Sequence, residues 1–392
     1  MPDFLHGIEI IEIDNGIRPI MTVASSMIGL VGTAPDADDA AFPLDTPVLI
    51  TGPRQAAGLG VAGTLPDAYQ QVYGEQVSTM IVVRVAEGAA AADTRAAVVG
   101  AAASATGVWA LVNAQALIGV TPRILAAPGF TSNAPGATEA APAAMALISV
   151  AERIKAVAVI DGPNTTEAAA LADVGLYGSQ RMLYCDPAVR ISARGAIVTR
   201  PASATMAGVL SRTDAEKGFW HSHSNMVLNG VVGTARPIAF GVSDTATEAN
   251  RLNEAGITTI VNRNGFRTWG NRSPTADANW AFLSVRRTAD MIYESIEASM
   301  LWAMDRPFSE QLLRDIRDSV KSYLSTLEQR GAILGGDCWL DPELNTEATM
   351  KAGQLYLDFD IEPPAPLERL TFRAFRNGSY YDELVAAVGA AT

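Results

Sequence analysis

Lysine is nearly missing from this chain of 392 residues, with four in all: Lys155, Lys217, Lys321 and Lys351. Lysine and arginine together number 29 against 42 acids, a formal net charge of −13. A surplus of this sign repels a phosphate backbone and argues against general nucleic-acid binding. Cysteine is equally scarce: Cys185 and Cys338 cannot build a disulfide framework or a four-thiolate zinc site. Of the three histidines, His221 and His223 flank Ser222 as a metal half-site on a strand would. No carboxylate or thiol stands at motif spacing from them, so the triplet reads as an exposed loop. The sequence has no GxxxxGK[ST] phosphate loop and no GxSxG nucleophile elbow. The N-terminus lacks the basic start of a signal peptide, and Glu9 and Glu12 break its apolar run. Residues 96–121 carry no charge, but they are rich in Ala, Gly, Ser and Thr rather than the Leu, Ile and Phe that drive insertion. They read as a buried or subunit-covered helix and loop, with no membrane insertion.

What the chain does have is small and apolar. The 66 alanines and 33 glycines make up about a quarter of it, and the apolar fraction is 48%. That is too apolar for a disordered chain. Charged residues reach only 18%, below the usual ~25% of soluble domains. So little charge on an exposed surface implies that part of it is covered by other subunits.

Short Ile- and Val-rich runs at 48–51, 80–85, 123–127, 156–161, 181–185 and 257–261 have the pattern of buried strands. Helical stretches at 139–155 and 166–177 lie between them. This alternation predicts an α/β fold with a mostly parallel sheet flanked by helices. The Gly-, Ser- and Asn-rich stretch 187–256 reads as a loop and small-β elaboration. A C-terminal α+β region follows from 265. It has helices over 288–305 and 309–330 and a strictly alternating strand over 355–361. The organisation expected is therefore an N-terminal arm over 1–25, an α/β region over 26–264, an α+β domain over 265–365 and a C-terminal arm over 366–392. Each arm carries a detached strand: Ile8, Ile10, Ile11 and Ile13 in the first, and Leu370, Phe372 and Ala374 in the second. A lone strand has unpaired backbone groups and must pair with something.

Candidate chemistry is thin. Residues 58–63 match GxGxxG, but a Pro-Arg-Gln-Ala-Ala stretch separates them from the strand before, so they read as a turn and no cofactor is expected. Asp161 and Asp186 stand at strand C-terminal ends, where α/β enzymes keep their acids. Without a base, nucleophile or phosphate cradle beside them, they read as turn or helix-capping residues. On the helix over 309–330, Arg314, Arg317 and Lys321 share the side opposite the apolar stripe, and they read either as a cationic strip for an acidic partner or as a solvated face partly balanced by Glu310, Asp318 and Glu328.

The order of these features, end to end, resembles the sheath subunit of contractile phage tails and R-type tail-like bacteriocins. The resemblance is carried by Ala24-Ser25-Ser26, by the run Pro122 to Gly129 and by Ile160-Asp161-Gly162-Pro163-Asn164. It continues through Gly218-Phe219-Trp220, Gly265 to Arg272, Trp302-Ala303 with Asp305-Arg306, and Asp341-Pro342-Glu343-Leu344-Asn345. It departs at His221-Ser222-His223, where a Ser-Pro-Ser-like run is usual, and at Ser273. The resemblance implies a structural protein without catalytic, cofactor or metal residues, in a virion tail or tail-like particle assembled in the host bacterial cytoplasm. It implies stacked hexameric rings of this chain around a tail tube protein, with baseplate and tail terminator proteins at the ends. It further implies that the arms add strands to sheets in neighbouring copies, that the α/β region points outward, and that the 309–330 helix faces the tube through Arg314, Arg317 and Lys321. Contraction would drive the tube through the target envelope. The rival readings are a nucleotide- or NAD-dependent α/β enzyme and a non-contractile shell protein.

Overall fold

A computed structural model describes residues 19–389. Its strands are β1 (Ile28–Thr33), β2 (Pro47–Ile50), β3 (Met80–Val85), β4 (Ile124–Ala126), β5 (Val157–Asp161), β6 (Met182–Cys185), β7 (Val189–Ala193), β8 (Ala196–Arg200), β9 (Val231–Thr234), β10 (Ile257–Asn262), β11 (Phe266–Trp269), β12 (Gly336–Leu340) and β13 (Leu357–Ile361). Its helices are α1 (Pro53–Ala56), α2 (Thr64–Glu75), α3 (Ala91–Val99), α4 (Ala114–Ile118), α5 (Pro142–Arg153), α6 (Glu167–Val174), α7 (Ala202–Lys217), α8 (Glu248–Glu254), α9 (Leu283–Ser299), α10 (Glu310–Gln329), α11 (Glu347–Lys351) and α12 (Ser379–Gly389).

Eight strands form one sheet in the order β11-β10-β6-β5-β4-β1-β3-β2. The six central strands are parallel, and antiparallel β11 and β2 close the two edges. Side chains along these strands divide with period two between two apolar layers. Ile28, Leu30, Met80, Val82, Val157 and Val159 enter the layer under α2 and α7. Val31, Ile81, Val83, Ala158 and Ile160 enter the layer under α3, α5 and α6. Burial on both faces is why these strands read as continuous apolar runs rather than alternating ones.

Three elements depart from the expectations. The central strand β1 is not among the strands expected from sequence, because Gly29 and Gly32 dilute its apolar pattern. Both glycines are required by close approach: a Cβ on Gly29 would sit 3.0 Å from the Pro122 ring, and one on Gly32 would sit 2.3 Å from the Thr64 hydroxyl. The second departure is α7, sixteen residues long, in the stretch expected to be loop and small β. Every residue from Ala202 to Thr213 is buried, so it has no polar face and no amphipathic period to detect. The small-β part of that expectation is the three-stranded antiparallel sheet β8-β7-β9. Third, β11 extends the large sheet, so residues 266–269 pack with the α/β region rather than with the helices that follow.

The C-terminal unit is built from α9, α10 and the antiparallel pair β12–β13. Its core gathers Met291, Ile292, Val320, Tyr323, Leu324, Leu327, Ile333 and Cys338. Ser309 caps α10, its hydroxyl accepting from the Leu312 N–H at 3.1 Å, and Gly331 ends it with φ +74°. Ile20 joins this same core, the Val23 N–H donates to Ser295 Oγ at 3.1 Å, and Thr22 Oγ1 lies 3.3 Å from the Tyr323 hydroxyl. Residues 20–23, expected to belong to a free arm, are thus part of the C-terminal unit. Ile8, Ile10, Ile11 and Ile13 lie outside the described residues.

Candidate functional site

The first candidate is the carboxyl end of the parallel sheet, where a cleft of about 200 Å³ is lined by Gly129, Asp161, Asn164, Cys185 and Arg200 among others. Its acids are occupied. Asp161 accepts from the Ser203 N–H at 2.8 Å, the Ser203 hydroxyl at 2.6 Å and the Thr131 hydroxyl at 3.3 Å. Ser203 lies in the first turn of α7, whose N-cap position is Pro201, a residue with no side-chain acceptor. Asp161 therefore supplies from β5 the negative charge that this helix end needs. Asp186 accepts from the Asn164 N–H at 2.8 Å and from Arg236 at 2.5 Å. Burial raises both acids, against the hydrogen bonds and the arginine that pull them down. Burial, and then the nearby Asp161, also push the Cys185 thiol well above its ordinary value, which keeps it protonated. The cluster holds β5, β6 and α7 together.

The glycine-rich turn at 58–63 leads into α2, and two N–H groups at this helix entry already have partners. The Thr64 N–H donates to the Thr33 hydroxyl at 3.2 Å, and the Ala62 N–H donates to Asp36 at 3.2 Å. A Cβ on Gly63 would lie 2.3 Å from the Thr33 carbonyl oxygen, so the turn is packed tightly against the end of β1. His223, expected in an exposed loop, is buried with Nε2 3.3 Å from the Thr258 hydroxyl. Burial, and then the charge of Arg287, lower its pKa to about 3, so the ring stays neutral. Among the described residues no group of three or more His, Cys, Asp or Glu is placed to hold a metal ion. No helix among them is long and apolar enough to cross a membrane.

Glu75, at the end of α2, has the most consequential acid shift. It pairs with Arg212 of α7 at 2.6 Å and accepts from the Asn229 N–H at 2.8 Å. Burial nonetheless pushes it from 4.5 up to about 7. The folded chain therefore binds this proton more tightly than the unfolded chain does. The resulting stability is fully present below about pH 4.5 and is lost as pH rises through about 7. Urea melts across that window should show the wild type losing up to about 3 kcal/mol relative to Glu75→Gln as pH rises. Parallel pH profiles for the two proteins would contradict this.

The junction between the α/β region and the C-terminal unit was not foreseen, although Arg286, Arg287 and Asp290 among the buried residues of α9's first half were a usable signal. Along α9, Arg287 pairs with Asp214 of α7 at 2.6 Å. Asp290 takes Arg181 at 2.6 Å and Arg286 at 2.7 Å. Glu294 takes Arg123, and Glu297 takes Lys155. The first three of these carboxylate sites are largely buried, whereas the Lys155 pair is exposed. The two units are joined by ion pairs along one helix.

The cationic strip on α10 is present, but each member has a counterion. Arg314 pairs with Glu310, Arg317 with Asp318 at 2.7 Å, and Lys321 with Asp337 of β12 at 2.6 Å. The hydrogen bond from Lys321, and then one from the Cys338 N–H, hold the Asp337 carboxyl below its ordinary value. All three pairs are at least partly solvent-exposed. The surface is one of paired charges rather than an uncompensated positive strip.

The C-terminal tail forms no strand within the chain. After Glu362, whose backbone still bonds to Leu334 and Gly335, the chain runs without ladder partners to α12, so Leu370, Phe372 and Ala374 pair with nothing among the described residues. Leu370 is 64% exposed, Phe372 85% and Phe375 79%. On α12, Tyr380, Tyr381, Leu384, Val385 and Val388 are also exposed, which puts its apolar residues at i, i+4 and i+8 in water. Exposure of this much large apolar surface marks an interaction element. The strands β12 and β13 each keep one edge unpaired among the described residues.

Comparison with known proteins covers the chain. The family model for the phage tail sheath protein central domain matches residues 103–273, and that for the phage tail sheath C-terminal domain matches residues 275–375. A prophage major tail sheath protein of Pseudomonas aeruginosa (strain UCBPP-PA14) is 35% identical over 377 residues, covering 94% of this chain and 96% of that protein. The tail sheath protein of Escherichia phage P2 is 33% identical over 401 residues, covering 99% of each. Among solved structures, the sheath complex of an extracellular contractile injection system in its contracted state is similar at TM-score 0.71 and 19% identity, over 97% of this chain and 99% of that one. The helical sheath of the anti-feeding prophage, also contracted, is similar at TM-score 0.70 and 19% identity, over 96% and 100%. At that identity the two structures speak to the fold.

Proposed function

The chain belongs to the phage tail sheath family, and from that premise we propose that it is the repeating subunit of a contractile tail sheath. Copies would stack as hexameric rings around an inner tail tube, with baseplate and terminator proteins at the ends, in a virion tail or tail-like particle assembled in the host cytoplasm. Shortening of the cylinder would drive the tube through the target envelope. The observation that carries this reading is the exposed apolar tail in a chain whose curated relatives, along nearly its whole length, are sheath proteins.

The role is mechanical rather than catalytic. Work would come from the difference between two sets of contacts among copies, with a kinetic barrier holding the extended set. The tail segment at 370–374 would add a strand to a neighbouring copy, and the open edges of β12–β13 suit that use. Ile8, Ile10, Ile11 and Ile13 would serve the same linkage from the other end. The α/β region would face outward and the C-terminal unit inward. Contacts to the tube must be weak enough to break, and exposed ion pairs worth ~0–1 kcal/mol each suit that task.

A test addresses α10. Changing Arg314, Arg317 and Lys321 together to Glu places new acids beside Glu310, Asp318 and Asp337. Co-expression with the tube protein should then yield bare tubes together with sheath polymers that lack a tube. Normal tube-filled sheaths in micrographs of the triple variant would reject a tube-facing role for this strip.

A further inference from the structure

Among the described residues, one side-chain pair ties the tail to the body beyond its proline linker. Arg272 reaches Glu368 with both ends of its guanidinium, Nε to Oε1 at 2.8 Å and Nη2 to Oε2 at 2.6 Å. The same guanidinium carbon sits 4.7 Å from the centre of the Phe282 ring, and residues 272 and 282 form an antiparallel bridge. Arg272 is thus oriented by its own neighbourhood before it meets the tail, and a planar fork meeting a carboxylate at two points fixes direction as well as distance. Before this pair, Pro363 is buried and Pro364 and Pro366 are partly covered. After it, every described side chain from Arg369 to Val388 is exposed, and its hydrogen bonds stay within the tail.

We propose that Arg272 is a clamp that sets where the C-terminal arm leaves the subunit, so that residues up to 368 belong to the body and the arm offered to a second copy begins at Arg369. The proposal rests on the reading that 370–374 pairs with a neighbour. It adds what limits the arm's reach. Without the clamp the arm would pivot from the buried Pro363, and the five residues 364–368, extended at ~3.1 Å each, would add about 15 Å to its sweep. That is several strand spacings of ~4.8 Å, enough to bring more than one acceptor edge within range. A clamped arm would choose one neighbour and one register, and an unclamped arm would choose among several. The pair is part-exposed, so it biases the exit path without preventing release during contraction.

The test begins with the full chain kept below its polymerising concentration. Spin labels are placed at Phe372→Cys and at Thr275→Cys, since Cys185 and Cys338 are buried. Double electron–electron resonance should give a narrow distance distribution. Glu368→Gln, a change on the tail that cannot unfold the body, should widen it about 1.5-fold. Arg272→Glu with Glu368→Arg should restore it. A distribution unaltered by Glu368→Gln, or one not narrowed by the charge swap, would overturn the clamp. Removal of residues 369–392 separates the two ideas. Normal tubes from that truncation would sink the arm reading even if the clamp is found on the free subunit. Loss of tubes together with an unaltered distance distribution would sink the clamp alone.

Discussion

Removal of residues 369–392 is expected to leave a folded subunit with an unchanged melting temperature that no longer forms long tubes. The first half follows from burial: from Leu367 onward the described side chains are exposed, so their loss removes no core contact. The second half follows from what those residues would do when covered. Burying a side chain such as Leu or Phe is worth about 1.5–3 kcal/mol, and Leu370, Phe372 and Phe375 alone offer three of them. Ordering the segment costs about 1–2 kcal/mol per residue, so the net gain is a small part of the gross. Even a net ~3 kcal/mol per junction corresponds to a more than hundredfold change in the concentration needed for assembly. Sedimentation and negative-stain micrographs at matched concentration check this. Striated tubes of normal length from the truncated chain would refute the role of the tail.

The second large effect lies inside the subunit. Asp290→Ala should destabilise it by about 3–5 kcal/mol, because it leaves the buried guanidiniums of Arg181 and Arg286 facing an empty site. Arg181 illustrates the balance. Burial lowers its pKa, and the Asp290 and Glu152 carboxylates outweigh that and raise it. With Asp290 gone, Glu152 alone remains to offset the desolvation of Arg181, and Arg286 loses its carboxylate partner. Lys155→Ala breaks an exposed pair on the same helix and should cost at most ~1 kcal/mol. Denaturant unfolding of both variants decides the matter, since equal small losses would mean that the α9 junction is not held by its ion pairs. The junction also bears on mechanism. In the proposed arrangement, with the C-terminal unit inward and the α/β region outward, a directional, paired interface would transmit force between the two units, whereas an apolar contact could slide.

Much of the α/β region was readable because parallel strands buried on both faces leave short Val- and Ile-rich runs, as β3, β5 and β6 do. β1 was not readable, because Gly29 and Gly32, the residues that let Pro122 and Thr64 approach, are the ones that break its pattern. Nor was α7, because a helix buried all round has no stripe. Asp161 and Asp186 were found as acids at strand ends, and their use as a helix cap and an arginine partner needs the fold, since Ser203 and Arg236 are distant in sequence. The α10 strip was legible as a helical face. Its neutralisation was partly legible in Glu310 and Asp318, but Asp337 enters from another element. Arg272 and Glu368, 96 residues apart, carried no sequence signal at all. The tail read as a strand in need of a partner, and within the described residues 370–374 form no strand and find no partner, because the residues such a strand would bond to are not local in sequence.

The central claim is that this chain polymerises by lending its tail to a neighbour's sheet. A cryo-electron microscopy map of the polymer formed by the purified protein tests it most directly. The account predicts a hollow helical cylinder in which the β12–β13 pair of each copy carries an added strand traceable to residues 370–374 of another copy. A cylinder with bare β12 and β13 edges and the tail folded back on its own subunit would contradict it, as would discrete closed oligomers with no helical polymer.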